Sequence, residues 1–360
     1  LLCPDPAHPT RFRHHRGRTL PADIVIVDEA SMVDFALMAR LVEAVDPAAR
    51  LILLGDKHQL ASVEAGTVLA DICGPTRLEG VQVSATFADQ LQELAGVAVG
   101  DAVARLPAAG PQDAIVQLDK VYRFAPDSGI GQFARACLAE PFDPAAAVAV
   151  LSGGGDVCLQ PHGPRGQLIE AVQQTIVAGY APYLEALLAG RAPAETELDF
   201  HARVLSLFDG FRVLCAHRNG RLGVAGMNRQ AMELLMAARA RRPGLKALRV
   251  RGSYWLGQPI LVRRNDYVVG RFNGDIGVVV RRGGELAVAF PADGPEPVAY
   301  LPPQRLPEHE TVFAMTIHKS QGSEFSHALV VLPESDSLIL TRELIYTGVT
   351  RAAARMTLVG

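Results

Sequence analysis

The feature that most constrains this chain is a pair of short apolar runs that both end on acidic residues. Asp23-Ile-Val-Ile-Val-Asp28 closes on the carboxylate pair Asp28-Glu29, Arg50-Leu-Ile-Leu-Leu-Gly55 closes on Asp56, and a helical period covers Phe35–Val45 between them. Unbroken apolar runs of this length have the look of strands buried in a parallel sheet. Strand, helix and strand in that order predict a βαβ unit of an α/β fold. Its polar residues gather at the carboxyl ends of both strands, where open α/β sheets take their ligands.

The same pattern returns later in the chain. Phe211–Ala216 reads as a buried strand, Met227–Ala240 as a helix, and Glu310–Thr316 and Ala328–Leu332 as further strands. Between them, residues 247–300 hold short β-branched stretches at Pro259–Val262, Gly277–Val280 and Leu286–Phe290, separated by turn signals such as Asn273-Gly274, which predicts a small all-β insertion. Helical stretches are expected at Gln167–Ala178 and Tyr183–Leu188, after a glycine-rich turn at Ser152–Gly155.

Composition narrows the class of protein without choosing a function. With 360 residues, 49% of them hydrophobic, several cores are possible, while the longest apolar runs fall far short of a bilayer span. Five cysteines stand singly, outside any zinc or disulfide spacing, so a reducing cytoplasm is the expected setting. A net charge of −3 gives no global attraction for a polyanion, so any nucleic-acid contact has to be local.

Adjacent carboxylates at a strand end suit one residue to hold Mg²⁺ and the other to activate water. A solvated acidic turn is the plain alternative for such a pair, and the second strand end, Gly55-Asp-Lys-His-Gln59-Leu60, weighs against it. The stretch Phe313-Ala-Met-Thr-Ile-His-Lys-Ser-Gln-Gly-Ser-Glu-Phe325 packs more polar groups into one turn than a structural strand-to-helix corner needs, and Gly322 permits close approach of a phosphate or backbone. Leu340–Ala352 carries Tyr346-Thr347-Gly-Val-Thr350-Arg351, where Arg351 is either an arginine aimed at a phosphoryl group or a solvated charge on a helix.

Taken together, Asp-Glu-Ala-Ser from Asp28, Gly-Asp-x-x-Gln-Leu from Gly55, Thr-x-His-Lys-Ser-Gln-Gly-x-Glu from Thr316 and Tyr-Thr-x-x-Thr-Arg-Ala from Tyr346 resemble motifs II, III, V and VI of superfamily 1 DNA helicases, in order. Ala61–Gly66 is similar to the version of this segment in the exodeoxyribonuclease V alpha subunit (RecD) family. The resemblance implies two RecA-like P-loop NTPase lobes of α/β fold, the first one incomplete, with an inserted small SH3-like β-barrel. It divides the chain into 1–117 for the first lobe, 118–245 with 306–360 for the second, and 246–305 for the insertion.

The same resemblance implies ATP and Mg²⁺ as cofactors, Asp28 as metal ligand, Glu29 as catalytic base and Gln59 as γ-phosphate sensor. It puts Arg123, in a motif IV-like Tyr-Arg-Phe, and Arg351 at the transferring phosphoryl group. Gln321 and Gly322 fall near the nucleotide and Glu324 at the ribose, while Thr316 and His318 lie near single-stranded DNA. Arg264, Tyr267 and Phe272 of the insertion would touch DNA by phosphate pairing and stacking, although hairpin chemistry alone accounts for Asn273-Gly274. The implied partners are single-stranded or duplex-end DNA and RecB-like and RecC-like subunits, with 5′ to 3′ polarity.

One departure stands out. The phosphate-binding loop G-x-x-x-x-G-K-[ST] that such an ATPase needs is not found. In the family it precedes the Asp-Glu motif, so N-terminal truncation is the expectation, with an inactive fragment. The alternatives are a non-hydrolysing DNA-binding or scaffold subunit, or a stand-alone or relaxase-associated helicase.

Overall fold

The computed structural model describes residues 2–5, 8–60, 68–74, 83–96, 105–106, 110–118, 120–240 and 254–360. The segment Ala61–Gly66 and the expected boundary at 245/246 lie outside these residues. The chain divides into two compact units, Leu1–Val121 and Tyr122–Gly360.

In the first unit β1 (Ile24–Val27) and β2 (Arg50–Leu53) run parallel in the register Val25↔Leu51 and Val27↔Leu53, joined through α1 (Phe35–Ala44). Asp34 starts α1 by accepting a hydrogen bond from the Leu37 amide. Met38, Leu41 and Ala44 of the helix pack on Val25, with Val27, Leu51 and Leu53 at the edge of that core. The expected two-sided burial of this sheet is corrected by Ile24 and Ile26, which are 55% and 56% exposed. Pleating sends alternate side chains to opposite faces, and α1 covers one face only.

The second unit is built on five parallel strands in the order β10-β4-β11-β12-β3, that is Ala314–Thr316, Phe211–Cys215, Phe325–Val331, Ala352–Val359 and Val157–Gln160. All five residues of β4 are buried. Helices α2 (Gly129–Leu138), α3 (Pro144–Ser152), α4 (Glu170–Ala189), α5 (Glu197–Asp209), α6 (Val224–Ala240) and α7 (Arg342–Val349) accompany it. The two helices expected between 167 and 188 are one, with Pro182 inside. Proline costs about 3 kcal/mol within a helix. Val172, Ile176, Tyr180, Tyr183, Leu184 and Leu187 form one buried stripe along α4, and the burial of that stripe outweighs the loss.

A five-stranded antiparallel sheet forms the insertion, in the order β8-β7-β6-β5-β9: Val298–Leu301, Glu285–Pro291, Ile276–Arg282, Pro259–Val262 and His309–Thr311. The run Glu310–Thr316 is therefore not one strand. Its first part, with His309, pairs antiparallel with β5, and its last part pairs parallel with β4. The sheet thus runs on past residue 305, and Val312 and Phe313 form the buried joint between the two sheets.

Candidate functional site

In the first unit the two strand exits are tied together: the Leu54 amide donates to the Val27 carbonyl and the Ala30 amide to the Leu54 carbonyl, both at 2.8 Å. Glycine fits closely at position 55, since a Cβ there would stand 2.8 Å from Leu69 Cδ2 and 3.1 and 3.2 Å from the amides of Ser31 and Ala30, which would have to shift. Glu29 sits at φ 51°, ψ 40°, a left-handed conformation that costs a non-glycine residue about 1–3 kcal/mol. Its amide donates to Asp28 Oδ1 at 2.8 Å. The second Asp28 oxygen and the Glu29 carboxylate have no hydrogen-bond or ion-pair partner among the described residues.

Asp56 Oδ1 accepts from the His58 amide at 2.9 Å, which folds the second exit back and carries Gln59. Gln59 Oε1 and Ser31 Oγ are buried polar atoms without a hydrogen bond among the described residues. Orphaned buried acceptors cost about 1–3 kcal/mol each, which marks these turns as built for a polar ligand. Hard carboxylate oxygens beside them fit a hydrated divalent cation and the end of a polyphosphate.

In the second unit, three segments far apart in sequence meet where β11 and β12 begin. Arg123 Nε donates to Glu324 Oε2 at 2.7 Å and its Nη1 to the Thr350 carbonyl at 2.6 Å. Thr350 is held in turn by its hydroxyl, which donates to the carbonyls of Tyr346 and Thr347 at 2.9 and 3.2 Å. The Phe325 amide, which follows Glu324, donates to the Arg351 carbonyl at 2.8 Å. Arg351 is 1% exposed, and its guanidinium donates to the carbonyls of Thr347 and Ser323 at 3.3 Å each. The reading of Arg351 as a solvated charge is thereby corrected: it lies beyond the end of α7 and turns inward under the glycine corner.

At that corner Gly322 has φ 76°, and the Gln321 amide donates to the His318 carbonyl. Thr316 and His318 stand at the other end, where β10 stops. Thr316 is buried, and its hydroxyl accepts from the Lys319 amide at 3.2 Å, so it shapes the turn. His318 is half-buried, and burial, then the charge of Arg218, pull its pKa below the ordinary imidazole value.

In the insertion, Asn265, Asp266 and Asp275 fold the β5–β6 loop by accepting from the amides of Asn273, of Val268 and Val269, and of Phe272. The two stretches singled out in the sequence are thus turn-forming, as hairpin chemistry allows. Above this turn Tyr267 is 79% exposed, its ring edge-on to Phe272 at 5.8 Å, while Arg264 is exposed and has no partner among the described residues.

Two anchoring residues escaped sequence reasoning. Asn228 Oδ1 accepts from the amides of Phe313 and Ala314 at 2.6 and 2.9 Å, and its Nδ2 donates to the Ala314 carbonyl at 3.0 Å. It clamps the strand that delivers Thr316 and His318. An asparagine inside a predicted helix, where it is a poor helix former, was the available signal. Arg212 is fully buried between Phe208 and Phe325, at 4.3 and 5.2 Å from their ring centres, and pairs with Asp209 at 3.0 Å. Nothing in an apolar strand run announces such an arginine.

Parallel α/β units with a carboxylate pair at one strand end and an arginine–glutamate–threonine cluster at another place the chain among α/β proteins whose polar groups gather at the ends of the sheet. Residues 7–93 match the AAA domain family model, and residues 311–359 match the UvrD-like helicase C-terminal domain. The RecBCD enzyme subunit RecD of Mycolicibacterium smegmatis is 39% identical over 100% of this chain and 54% of its own length; that of Haemophilus influenzae is 33% identical over 97% and 52%. The chain belongs to the RecD family. The ATP-dependent RecD2 DNA helicase of Deinococcus radiodurans is 28% identical over 96% of this chain and 38% of its own. The chain spans about half the length of the RecD relatives it matches. The Pif1 helicase of Candida albicans overlays with a TM-score of 0.43 at 13% identity, covering 94% of this chain and 73% of its own, a level from which nothing is concluded. No helix among the described residues is long and apolar enough to cross a membrane.

Proposed function

We propose that the full-length protein is an ATP-dependent DNA helicase that moves 5′ to 3′ on single-stranded DNA, as the motor subunit of a cytoplasmic exodeoxyribonuclease V complex with RecB-like and RecC-like subunits, in double-strand break repair and DNA degradation. The observation that carries this reading is the meeting of Arg123, Glu324 and Thr350, with Arg351 beneath them, at residues the family motifs single out. The parallel units are read as RecA-like lobes and the antiparallel module as an SH3-like insertion.

In this reading Asp28 holds the cation through its open oxygen, and bound Mg²⁺ supplies charge neutralisation on the phosphates. Glu29, whose carboxylate is unengaged, takes the proton of the attacking water, and Gln59 Oε1 finds in that water or the γ-phosphate shell the partner it lacks. Glu324 accepts from a ribose hydroxyl, and Gln321 and Gly322 bring backbone close to the nucleotide. Arg123, released from Glu324, donates to the transferring phosphoryl group, where a guanidinium stabilises the developing charge. Arg351 braces that corner through Ser323 and Thr347 and adds its own positive charge to it. His318, Arg264, Tyr267 and Phe272 contact DNA, and Thr316 fixes the turn that presents His318.

Strand displacement by the full-length protein, with ATP and Mg²⁺, on duplexes carrying a single-stranded tail at one end tests the reading. Unwinding of the 5′-tailed duplex and not the 3′-tailed one is expected. Unwinding of the 3′-tailed duplex alone overturns the polarity, and DNA binding without ATP-dependent unwinding of either overturns the motor.

A further inference from the structure

Both faces of the antiparallel insertion are covered, and by different partners. Strands send alternate side chains to opposite faces. In β6 and β7, Val279, Val288 and Phe290 turn to one side, where they form the insertion's own core with Ile260, Val262 and Leu301. Val278, Val280 and Ala289 turn to the other side and are buried in the core that also holds Leu184 of α4, Val204 of α5 and Val213 of β4. Helix α5 therefore lies between the two sheets, touching β4 on one side and β6, β7 and β8 on the other. Domains that move against each other meet through small, polar interfaces, whereas here one apolar core runs through the joint.

Three polar ties reinforce that core. Tyr180 and Tyr183 stand about one turn apart on α4, both fully buried, and reach the two crossings between the sheets. Tyr183 donates to the Gly257 carbonyl ahead of β5 at 3.2 Å, and Tyr180 donates to the Phe313 carbonyl behind β9. The crossings are also bound to each other, since the Val312 amide donates to the Pro259 carbonyl at 3.2 Å and Gln258 Nε2 to the Thr311 hydroxyl at 2.9 Å. Two adjacent crossings by themselves define a hinge axis. The third tie lies away from that axis, because β8 is at the edge of the sheet opposite β5 and β9. There the Tyr300 hydroxyl is in hydrogen-bond contact with His201 Nδ1 of α5 at 2.8 Å, and the Arg282 guanidinium covers the Tyr300 ring at 4.1 Å from its centre. Beside it the Gly283 amide donates to Glu197 Oε1 at 3.3 Å.

We propose that the insertion is a fixed arm of the second unit, with Tyr183 and His201 as the positioning residues that stop it from turning about its crossings. The arm stands on the packing alone, while its use rests on the reading of the protein as a DNA motor. In that reading the exposed tip with Tyr267 and Phe272 travels with the parallel sheet through each ATP cycle, and the displacement of the sheet is passed on undiminished.

The test is double electron–electron resonance on the full-length protein, with spin-labelled residues in place of Ala149 on α3 and Gly294 in the β7–β8 loop, both exposed. A single narrow distance is expected, the same with and without an oligothymidylate and a non-hydrolysable ATP analogue. In Tyr183→Phe with His201→Ala that distance is expected to broaden. The same variant is expected to keep its DNA-stimulated ATP turnover and to unwind fewer base pairs per ATP hydrolysed. Tyr183→Phe with His201→Asn, whose amide oxygen takes the place of Nδ1, is expected to recover a narrower distance. Two distances in the wild type, or one that shifts when DNA or nucleotide is added, overturn the fixed arm whether or not the variants fold. An alanine variant as narrow as the wild type overturns the role of the two residues. A wild type that keeps one distance and unwinds no DNA supports the arm and overturns the motor reading.

Discussion

Arg123 reaches across the second unit to pair with Glu324 at 2.7 Å, so the arginine proposed to meet the γ-phosphate is held by the carboxylate proposed to meet the ribose. Both side chains are partly exposed, at 30% and 50%, and such a pair contributes at most about 1 kcal/mol to stability. Arg123→Ala is therefore expected to leave the urea midpoint of the full-length protein nearly unchanged and to lower DNA-stimulated ATP turnover about 100-fold or more. Arg123→Lys is not expected to restore it, because an ammonium does not reproduce the planar fork that spans Glu324 and Thr350. Turnover at the wild-type rate in Arg123→Ala removes the residue from the chemistry.

Asn228 ties α6 to the start of β10 through three hydrogen bonds. Asn228→Ala leaves two buried amides and a carbonyl without that partner, for a loss of about 2–4 kcal/mol. The turn carrying His318 hangs from this strand, so single-stranded DNA affinity is expected to fall as well. Asn228→Asp, which keeps the two accepted bonds, is expected to recover part of the stability. Equal stability of the Ala variant and wild type in urea denaturation contradicts the clamp.

His327 is partly buried on β11, in hydrogen-bond contact with the Thr357 hydroxyl at 3.0 Å. Burial, then the charge of Arg355, bring its pKa from 6.5 down to about 4. The folded state therefore binds a proton less readily than the unfolded state does. The stability tied to the neutral ring is fully present above about pH 6.5 and is lost progressively as pH falls to about 4, by an amount on the order of 3 kcal/mol. His318 and His201, also shifted downward, act in the same direction. Melting temperatures of wild type and His327→Gln between about pH 7 and pH 4 check this, the expected result being a smaller acid loss in the variant. Parallel losses in both proteins contradict it.

The strands and the carboxylate turn were legible because an apolar run ending on acids has few other uses, and β1, β2, β4 and β11 all lie within the expected stretches or within a few residues of them. What was not legible depended on partners distant in sequence. Nothing between Glu310 and Thr316 breaks the run in the sequence, and its two ends part only through the strands they pair with, β5 and β4. Pro182 reads as a breaker until Tyr180 and Tyr183 are seen packed with Phe208 in the core. The inward turn of Arg351 and the burial of Arg212 were not legible because an arginine is rarely buried, and what surrounds them, the Ser323 and Thr347 carbonyls in one case and the Phe208 and Phe325 rings in the other, is set by the fold. Thr316, Asp266 and Asn265 carried the right residue types, and their side chains turned out to shape loops.

The central claim is that the carboxylate turn of β1 serves ATP hydrolysis driven by DNA. The most direct test measures ATP turnover by the full-length protein with and without single-stranded DNA, for wild type and Glu29→Gln. Turnover that rises with DNA in the wild type and falls by about 100-fold or more in Glu29→Gln, with oligonucleotide binding retained, is the expected result. Undiminished DNA-stimulated turnover in Glu29→Gln contradicts the account.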